Sequence, residues 1–374
     1  AIGNKVIDLL ACNKLNIFTD LDIHNSVFEN TFLNDFINLG KNKTNKVREI
    51  LQKQLIDENS KLKLHHDLIF SMFEVEMHMP VNVGDYTDFY SSIEHASNIG
   101  SMFRDPDNPL LPNWRHLPVG YHGRASSIIV SGVDIIRPKG QIKPFDSENP
   151  VFSSSKRIDF ELEMGYIIGK NSKLGSSIST KDAEDYIFGK VLFNDWSARD
   201  IQKFEYVPLG PFLGKSFASS ISPWIVTLDA LEGFKVKGEV QIPEVKTYLQ
   251  YQGAKNYNIN LEVLIETNNN TTTVSRSNFK YMYWNMCQQL AHHTINGCNI
   301  QAGDLMASGT ISGPKESEYG SMLELSWGGT KELKLNNNEK RKFLQDNDTV
   351  IMRAFAKNEN IKIGFGEVRN LITS

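Results

Sequence analysis

The sequence predicts a mainly β (α+β) protein in two parts. A small leading domain covers residues 1–78, and a larger β-rich sandwich or roll covers residues 79–374. Three observations predict this. From residue 79 onward, short runs of β-branched and aromatic residues alternate with glycine and proline turns. Between Asn34 and Phe73, apolar residues instead recur at helical spacing, with lysines and asparagines between them. At "MHMPVNVGDY" the texture changes, because Pro80 and Gly84 break the helical pattern.

The leading part opens on two short strand-like runs, "KVIDLL" and "IFTD". Its helical stretch is clearest from "VRE" through "LQKQLIDENSKLKL" and reads as a connector. Beyond residue 79 the expected strands are "SSIIVSG", "DFELEMGYIIG", "KVLFND", "SPWIVTL", "INLEVLIET", "MLELSW", "TVIMRAF" and "IKIGFG". "TNNNTTT", residues 267–273, reads as a polar hairpin tip. One long helix is expected in "SNFKYMYWNMCQQLAHHTIN", with Ser277 as N-cap and Gly297 at its end. There is no internal repeat.

Composition excludes several classes. The 40 basic and 44 acidic residues give a net charge of -4, too balanced for nucleic acid or an anionic membrane surface. No apolar run approaches the ~18 residues of a membrane span. The start, "AIGNKVIDLL", has neither a signal-peptide pattern nor a methionine, so the expectation is that an upstream segment of the small domain precedes it. Cys12, Cys287 and Cys298 match no zinc spacing and read as free thiols in a reducing cytosol. The sequons at Asn42 and Asn347 read as chance products of an asparagine-rich chain.

"GPFLGKS", residues 210–216, is close to a phosphate-binding loop but fails its context. Gly210 and Gly214 are separated by three residues, where the loop needs four. Pro211 removes one of the backbone N–H groups that cradle phosphate. The following "SFASSISPWIV" reads as extended, so no helix N-terminus faces an anion. Lys215 therefore needs another purpose.

The acids supply one. Asp88 precedes a helix that contains His95, seven residues on and near the same helical face. Glu161 and Glu163, two apart on a strand, leave the same face. Asp195 ends an apolar strand. Each also has a plain reading: Asp88 as a helix N-cap, the two glutamates on a solvated strand face, Asp195 as a turn cap. Taken together, four carboxylates without a Cys/His pattern suit a hard cation, calcium or magnesium. Without one they would repel strongly if they met, and spacing does not prove that they meet. His65-His66 reads as connector, and His292-His293 at i, i+1 cannot share a metal face. "YMYW" reads as core or dimer contact.

Long blocks of the chain resemble the fumarylacetoacetase family. They are "GDYTDFYSSIEHASNIGSMFR", "LLPNWRHLPVGYHGRASSI", "ELEMGYIIG", "NDWSARDIQKFEYVPLGPFLGKSF" and "SGTISGP…SMLELSWGGTK". The likeness runs from about Met77 to the end and points to this family rather than only to its broader superfamily. It implies hydrolysis of 4-fumarylacetoacetate to fumarate and acetoacetate, the last step of tyrosine and phenylalanine breakdown. It implies a homodimer with a small SH3-like N-terminal domain and a larger mixed β-sandwich roll, and the free thiols read above add a cytoplasmic location. It also implies an active-site calcium and a nearby magnesium. Rival readings are an acylpyruvate hydrolase or decarboxylase of the same superfamily, or a catalytically silent calcium-binding protein on this fold.

Residue by residue, the resemblance places calcium on Asp88, Glu161, Glu163 and Asp195, and magnesium near Asp195, Lys215 and Ser219. The family carries threonine at the last position, so this chain keeps the hydroxyl and loses a methyl. His95 falls on the catalytic base and Glu324 on its orienting carboxylate. Arg199, Gln202 and Lys215 fall on the oxyanion-stabilising group. Tyr90, Arg104, Tyr121, Gln202, Tyr206 and Thr310 fall on substrate contacts. The chemistry fits a reverse Claisen cleavage: hydroxide made by a histidine base, an oxyanion met by fixed donors, and an enolate leaving group stabilised by a cation.

Overall fold

The computed structural model describes residues 1–374. An eight-stranded mixed sheet organises the larger part. Its order is Gly120–His122, Tyr86–Phe89, Leu305–Ala307, Leu162–Ile168, Ile187–Asp195, Ser219–Ile221 and Ile128–Val130, with Val226–Thr227 pairing beside Ile187–Asp195. A five-stranded sheet runs Asn270–Asn278, Asn260–Thr267, Thr349–Lys357, Lys362–Thr373 and Ile135–Ile136. Asn268 and Asn269 take positive φ at the hairpin tip of this sheet, where asparagine tolerates the left-handed region.

Both faces of the central strands are covered. Leu162, Met164 and Tyr166 share the main apolar core with Leu261, Val263, Ile265 and Met352 of the second sheet. On the opposite face Ile167, Val191, Phe193, Leu305 and Tyr86 form a second core. This is why "ELEMGYII" and "VLFND" read as nearly continuous apolar runs. Lys190 is buried among them without a hydrogen-bond partner, 4.9 Å from the Tyr257 ring centroid and 4.7 Å from that of Phe279. Burial pulls its ammonium down to about 7.

The leading residues have their own core, built on Cys12, Phe18, Phe36, Val47, Leu62 and Leu68. Of the strand set that an SH3-like domain implies, they hold one ladder, Lys5–Ile7 on Ile69–Ser71. Helices Leu9–Lys14, Asn34–Asn38, Lys41–Ile56 and Lys61–Leu64 supply most of the rest. They dock on the larger part through an edge-on Phe36–Phe188 contact at 6.3 Å and an Arg48–Asp229 ion pair.

Local expectations are corrected in several places. "IFTD" is a turn leading into a 3₁₀ segment, Thr19–Leu21, because Ile17 and Phe18 plug the small core rather than pair in a ladder. "MLELSW" is a helical turn, Met322–Leu325, since the Ser321 hydroxyl caps it by accepting the Glu324 N–H. "SPWIVTL" contributes only Val226–Thr227. The long helix shrinks to Met286–Thr294. Ser277 lies in the strand Asn270–Asn278, and Asn285 is the N-cap, reinforced by Gln288 in a capping box. Asp88 caps no helix: it lies on the strand Tyr86–Phe89, and Ser92 caps the helix Ile93–Phe103.

Candidate active site

Strand register gathers the acids. Cross-strand partners point to the same face, and so do residues two apart on a strand. Glu163 pairs with Phe193, two residues before Asp195, and Asp195 pairs with Ser219. Gly165, two after Glu163, pairs with Ala307, which pairs with Asp88, which pairs with Tyr121. Asp88, Tyr121, Glu163, Asp195 and Ser219 therefore share one face across five strands. Glu161 joins two residues before Glu163. One ligand atom from each of Asp88, Glu161, Glu163 and Asp195 lies within 4.8 Å of the others, and all four residues are buried.

The cage is only partly neutralised. The Lys215 ammonium donates to Glu161 and, at 2.6 Å, to Asp195. Arg199 donates from Nη2 to Glu161 at 2.7 Å, but its Nε is committed to Asp159 at 2.7 Å. Burial alone would raise Glu161, yet the Lys215 and Arg199 charges hold it well below the usual carboxylate range. Burial and then the Asp195 charge push Asp88 far above that range; burial and then Asp88 do the same to Glu163. Burial opposes the charge on Lys215, but Asp195 and Glu161 outweigh it and hold the ammonium above its ordinary value.

The residues fit a divalent cation. Asp88 Oδ1 and Glu163 Oε1 are buried oxygens without a hydrogen-bond partner. Such orphans are costly unless something accepts their lone pairs. An all-oxygen donor set of carboxylates is the environment of a hard cation, and one ammonium with a shared guanidinium cannot balance four acids.

Beside the cage stands a second unit. His95 lies in the first turn of the helix Ile93–Phe103, and Glu324 in the helical turn Met322–Leu325. His95 Nδ1 is 2.7 Å from Glu324 Oε2. Glu324 also accepts hydrogen bonds from Asn98 Nδ2 at 2.9 Å, Ser321 Oγ at 2.8 Å and Ser312 Oγ at 2.8 Å. Burial would raise this carboxyl, but His95 and these donors lower it, so it stays ionised. An ionised carboxylate only accepts, so Nδ1 carries the imidazole proton and Nε2 is left as the base. The Tyr90 ring stands edge-on to the imidazole at 5.3 Å.

The remaining anticipated residues divide. Tyr121 donates to Asp195 Oδ2 at 3.0 Å, and Ser219 to Asp195 Oδ1 at 3.0 Å. Gln202 Oε1 accepts from Arg199 Nη1 at 3.2 Å, which leaves the amide NH2 uncommitted by that contact. Thr310 is buried beside Gly309, whose N–H donates to Glu163 Oε2 at 2.9 Å. Arg104 instead donates to the Pro109 carbonyl, and Tyr206 is half exposed; neither touches the cage. Sequence reasoning passed over Asp159, Asn98, Ser312 and Ser321. The spacing of two from Asp159 to Glu161 to Glu163 was a signal for the first. The others come from separate segments and carried none.

Comparison with known proteins agrees with this geometry. The family model described as "Fumarylacetoacetate (FAA) hydrolase C-terminal" matches residues 86–373, and "Fumarylacetoacetase N-terminal" matches residues 1–80. The chain is 50% identical to a Homo sapiens fumarylacetoacetase over 373 residues, 98% of this chain and 89% of that protein. It is 51% identical to a Dictyostelium discoideum fumarylacetoacetase over 382 residues, 100% of this chain and 90% of that protein. The crystal structure of maleylpyruvate hydrolase from Sphingobium.sp SYK-6 shares the fold at TM-score 0.53 and 13% identity, covering 100% of this chain and 94% of that one. Sheets, site and sequence lead to one statement: the chain belongs to the fumarylacetoacetase family.

Proposed function

We propose that this enzyme hydrolyses the carbon–carbon bond of 4-fumarylacetoacetate, releasing fumarate and acetoacetate. One observation carries the reading: a buried four-carboxylate cage lies beside a histidine whose Nδ1 is tied to an ionised glutamate. His95 Nε2 takes a proton from water, and the hydroxide adds to the ketone carbon. Glu324 holds the ring in the required tautomer and stabilises the imidazolium that forms. The tetrahedral oxyanion is met by donors already in place: the remaining Lys215 N–H, the free Gln202 amide and the unspent Arg199 N–H groups. His95 then returns its proton to the departing enolate carbon. A divalent cation held by Asp88, Glu161, Glu163 and Asp195 supplies Lewis-acid stabilisation of the leaving dicarbonyl.

Calcium in the cage and magnesium beside it are our assignment. The calcium assignment is supported by the carboxylate-only donor set. The buried Ser219 hydroxyl donates to Asp195 Oδ1 at 3.0 Å, and these two side chains would be the magnesium donors. The Lys215 ammonium has no lone pair to give, so any part it takes there is through its main chain. Tyr90, Tyr121 and Thr310 line the diketone, with Arg104 and Tyr206 joining from farther out. We propose the domain division at residues 78 and 79, and a cytoplasmic location supported by the free thiols. No helix is long and apolar enough to cross a membrane. A homodimer is supported by exposed Phe204, Val207, Leu209, Phe212 and Leu213, an apolar patch that association would cover.

The test is the ultraviolet absorbance of the diketone, followed with chelator, then with added calcium or magnesium. Absorbance should fall only when a divalent cation is present. No loss in either cation would overturn the reading.

A further inference from the structure

Asp159 has no part in the reaction as described, yet it is fully buried and every side-chain hydrogen bond it makes leads to the site. Its Oδ1 accepts the Met322 N–H at 2.6 Å. Its Oδ2 accepts the Leu323 N–H at 3.1 Å and the Arg199 Nε–H at 2.7 Å. The next residue is Glu324. From the other side, the same guanidinium reaches Glu161 Oε1 at 2.7 Å. One carboxylate thus holds both the turn that carries the histidine's partner and the arginine that grips a cage ligand.

We propose that Asp159 is a positioning residue that fixes the carboxylate cage relative to the His95–Glu324 pair, acting through Arg199 and the Met322–Leu325 turn. The turn has four residues, too few to hold its own place, so its first N–H groups need an outside acceptor. Arg199 has two carboxylates to choose between. With Asp159 in place, its Nε is spent and only one N–H bears on Glu161. Without that charge, the guanidinium swings to a two-pronged grip on Glu161, the fork geometry arginine favours. Glu161 then faces arginine rather than the cation. Supporting contacts of this kind typically change metal affinity or activity by about 10- to 100-fold.

The inference rests on the reading of Glu161 as a cation ligand and of Glu324 as the base's partner. The primary variant is Asp159→Asn, which keeps an oxygen for the Met322 N–H but removes the charge and turns an NH2 toward the Leu323 N–H and the Arg199 Nε–H. Calcium affinity by calorimetry should fall about 10-fold and kcat by about 10- to 100-fold, with KM little changed because Asp159 touches no substrate. In the pair Asp159→Asn and Arg199→Met the losses should not add, because the two act as one unit. A lowered unfolding temperature with wild-type kcat and calcium affinity would overturn the proposal, as would fully additive losses. If Asp159→Asn does not fold, Arg199→Lys leaves the turn's acceptor intact and cuts only the fork. With no guanidinium left to take Glu161 from the cation, calcium should bind at least as tightly as in the wild type, and affinity about 10-fold weaker there would overturn the proposal. Wild-type enzyme that binds calcium but leaves the diketone intact would instead refute the assigned reaction, while calorimetry still reports on Asp159.

Discussion

His95 Nδ1 stands 2.7 Å from Glu324 Oε2, and three further side chains hydrogen-bond that carboxylate. A glutamate so saturated has no freedom to rotate or to take a proton, so the imidazole has one tautomer. His95→Ala should lower kcat by about 100- to 10,000-fold with the fold intact. Glu324→Gln should cost a similar factor, because an amide can present an N–H where the ring presents its own. The diketone absorbance assay and a circular dichroism spectrum check both. Turnover near wild type in His95→Ala would remove this residue from the base role.

Asp195 accepts from Lys215, Tyr121 and Ser219 and is one of the four cage acids. Its removal takes away a ligand and releases the lysine. Calcium at about 100 times its Kd should stabilise the wild type by about 2.7 kcal/mol. Asp195→Ala should lose most of that stabilisation. Thermal unfolding with and without calcium measures it, and an unchanged calcium response would count against the cage.

The glycine bend before Lys215 is a packing requirement. A Cβ on Gly214 would stand 2.6 Å from Gln202 Cβ and 2.7 Å from its backbone nitrogen. Gly214→Ala should therefore push the lysine loop off the helix Arg199–Glu205, costing about 1–3 kcal/mol and at least ~10-fold in kcat. Gly210 differs: nothing lies near its Cβ position, but its φ is +103°. Gly210→Ala should cost stability through backbone strain of about 1–2 kcal/mol. Urea midpoints and kcat for the two variants distinguish a steric from a conformational role.

Glu94 is pushed up to about 7, chiefly by burial and then by the nearby Glu239 charge. A carboxyl raised on folding binds more protons in the native state between its unfolded value, ~4.3, and about 7. Native stability therefore falls as pH rises through that window. Glu94→Gln removes the dependence. Relative to this variant, the wild type should lose on the order of 1 kcal/mol between pH 5 and pH 8, allowing for partial exposure. Urea unfolding at the two pH values tests it; an equal gap at both would contradict the assignment.

Much of the site was legible because some of its signals are local. The spacing of two in "DFELE" puts the glutamates on one face whatever the strand's neighbours are. The failed phosphate-loop pattern around Lys215 was equally a matter of adjacent residues. The same local logic misled where capping competes with propensity. "MLELSW" has the composition of a strand, but Ser321 and Asp159 start a helical turn there. Asp88 and His95 were linked by helical periodicity, yet a strand ends at Phe89 before the helix begins at Ile93.

The sequence by itself determined the longer central strands, the acidic and basic groups available for chemistry and, through long shared blocks, the family. Only tertiary structure decided which groups meet. Asp88 reaches Glu163 through Leu305–Ala307, a strand more than 200 residues away in the chain. Asp159 reaches the Met322–Leu325 turn that carries Glu324 across a gap that no periodicity spans. The reason is physical: strand order and register come from burying two apolar faces at once, a condition on the whole sheet rather than on any segment.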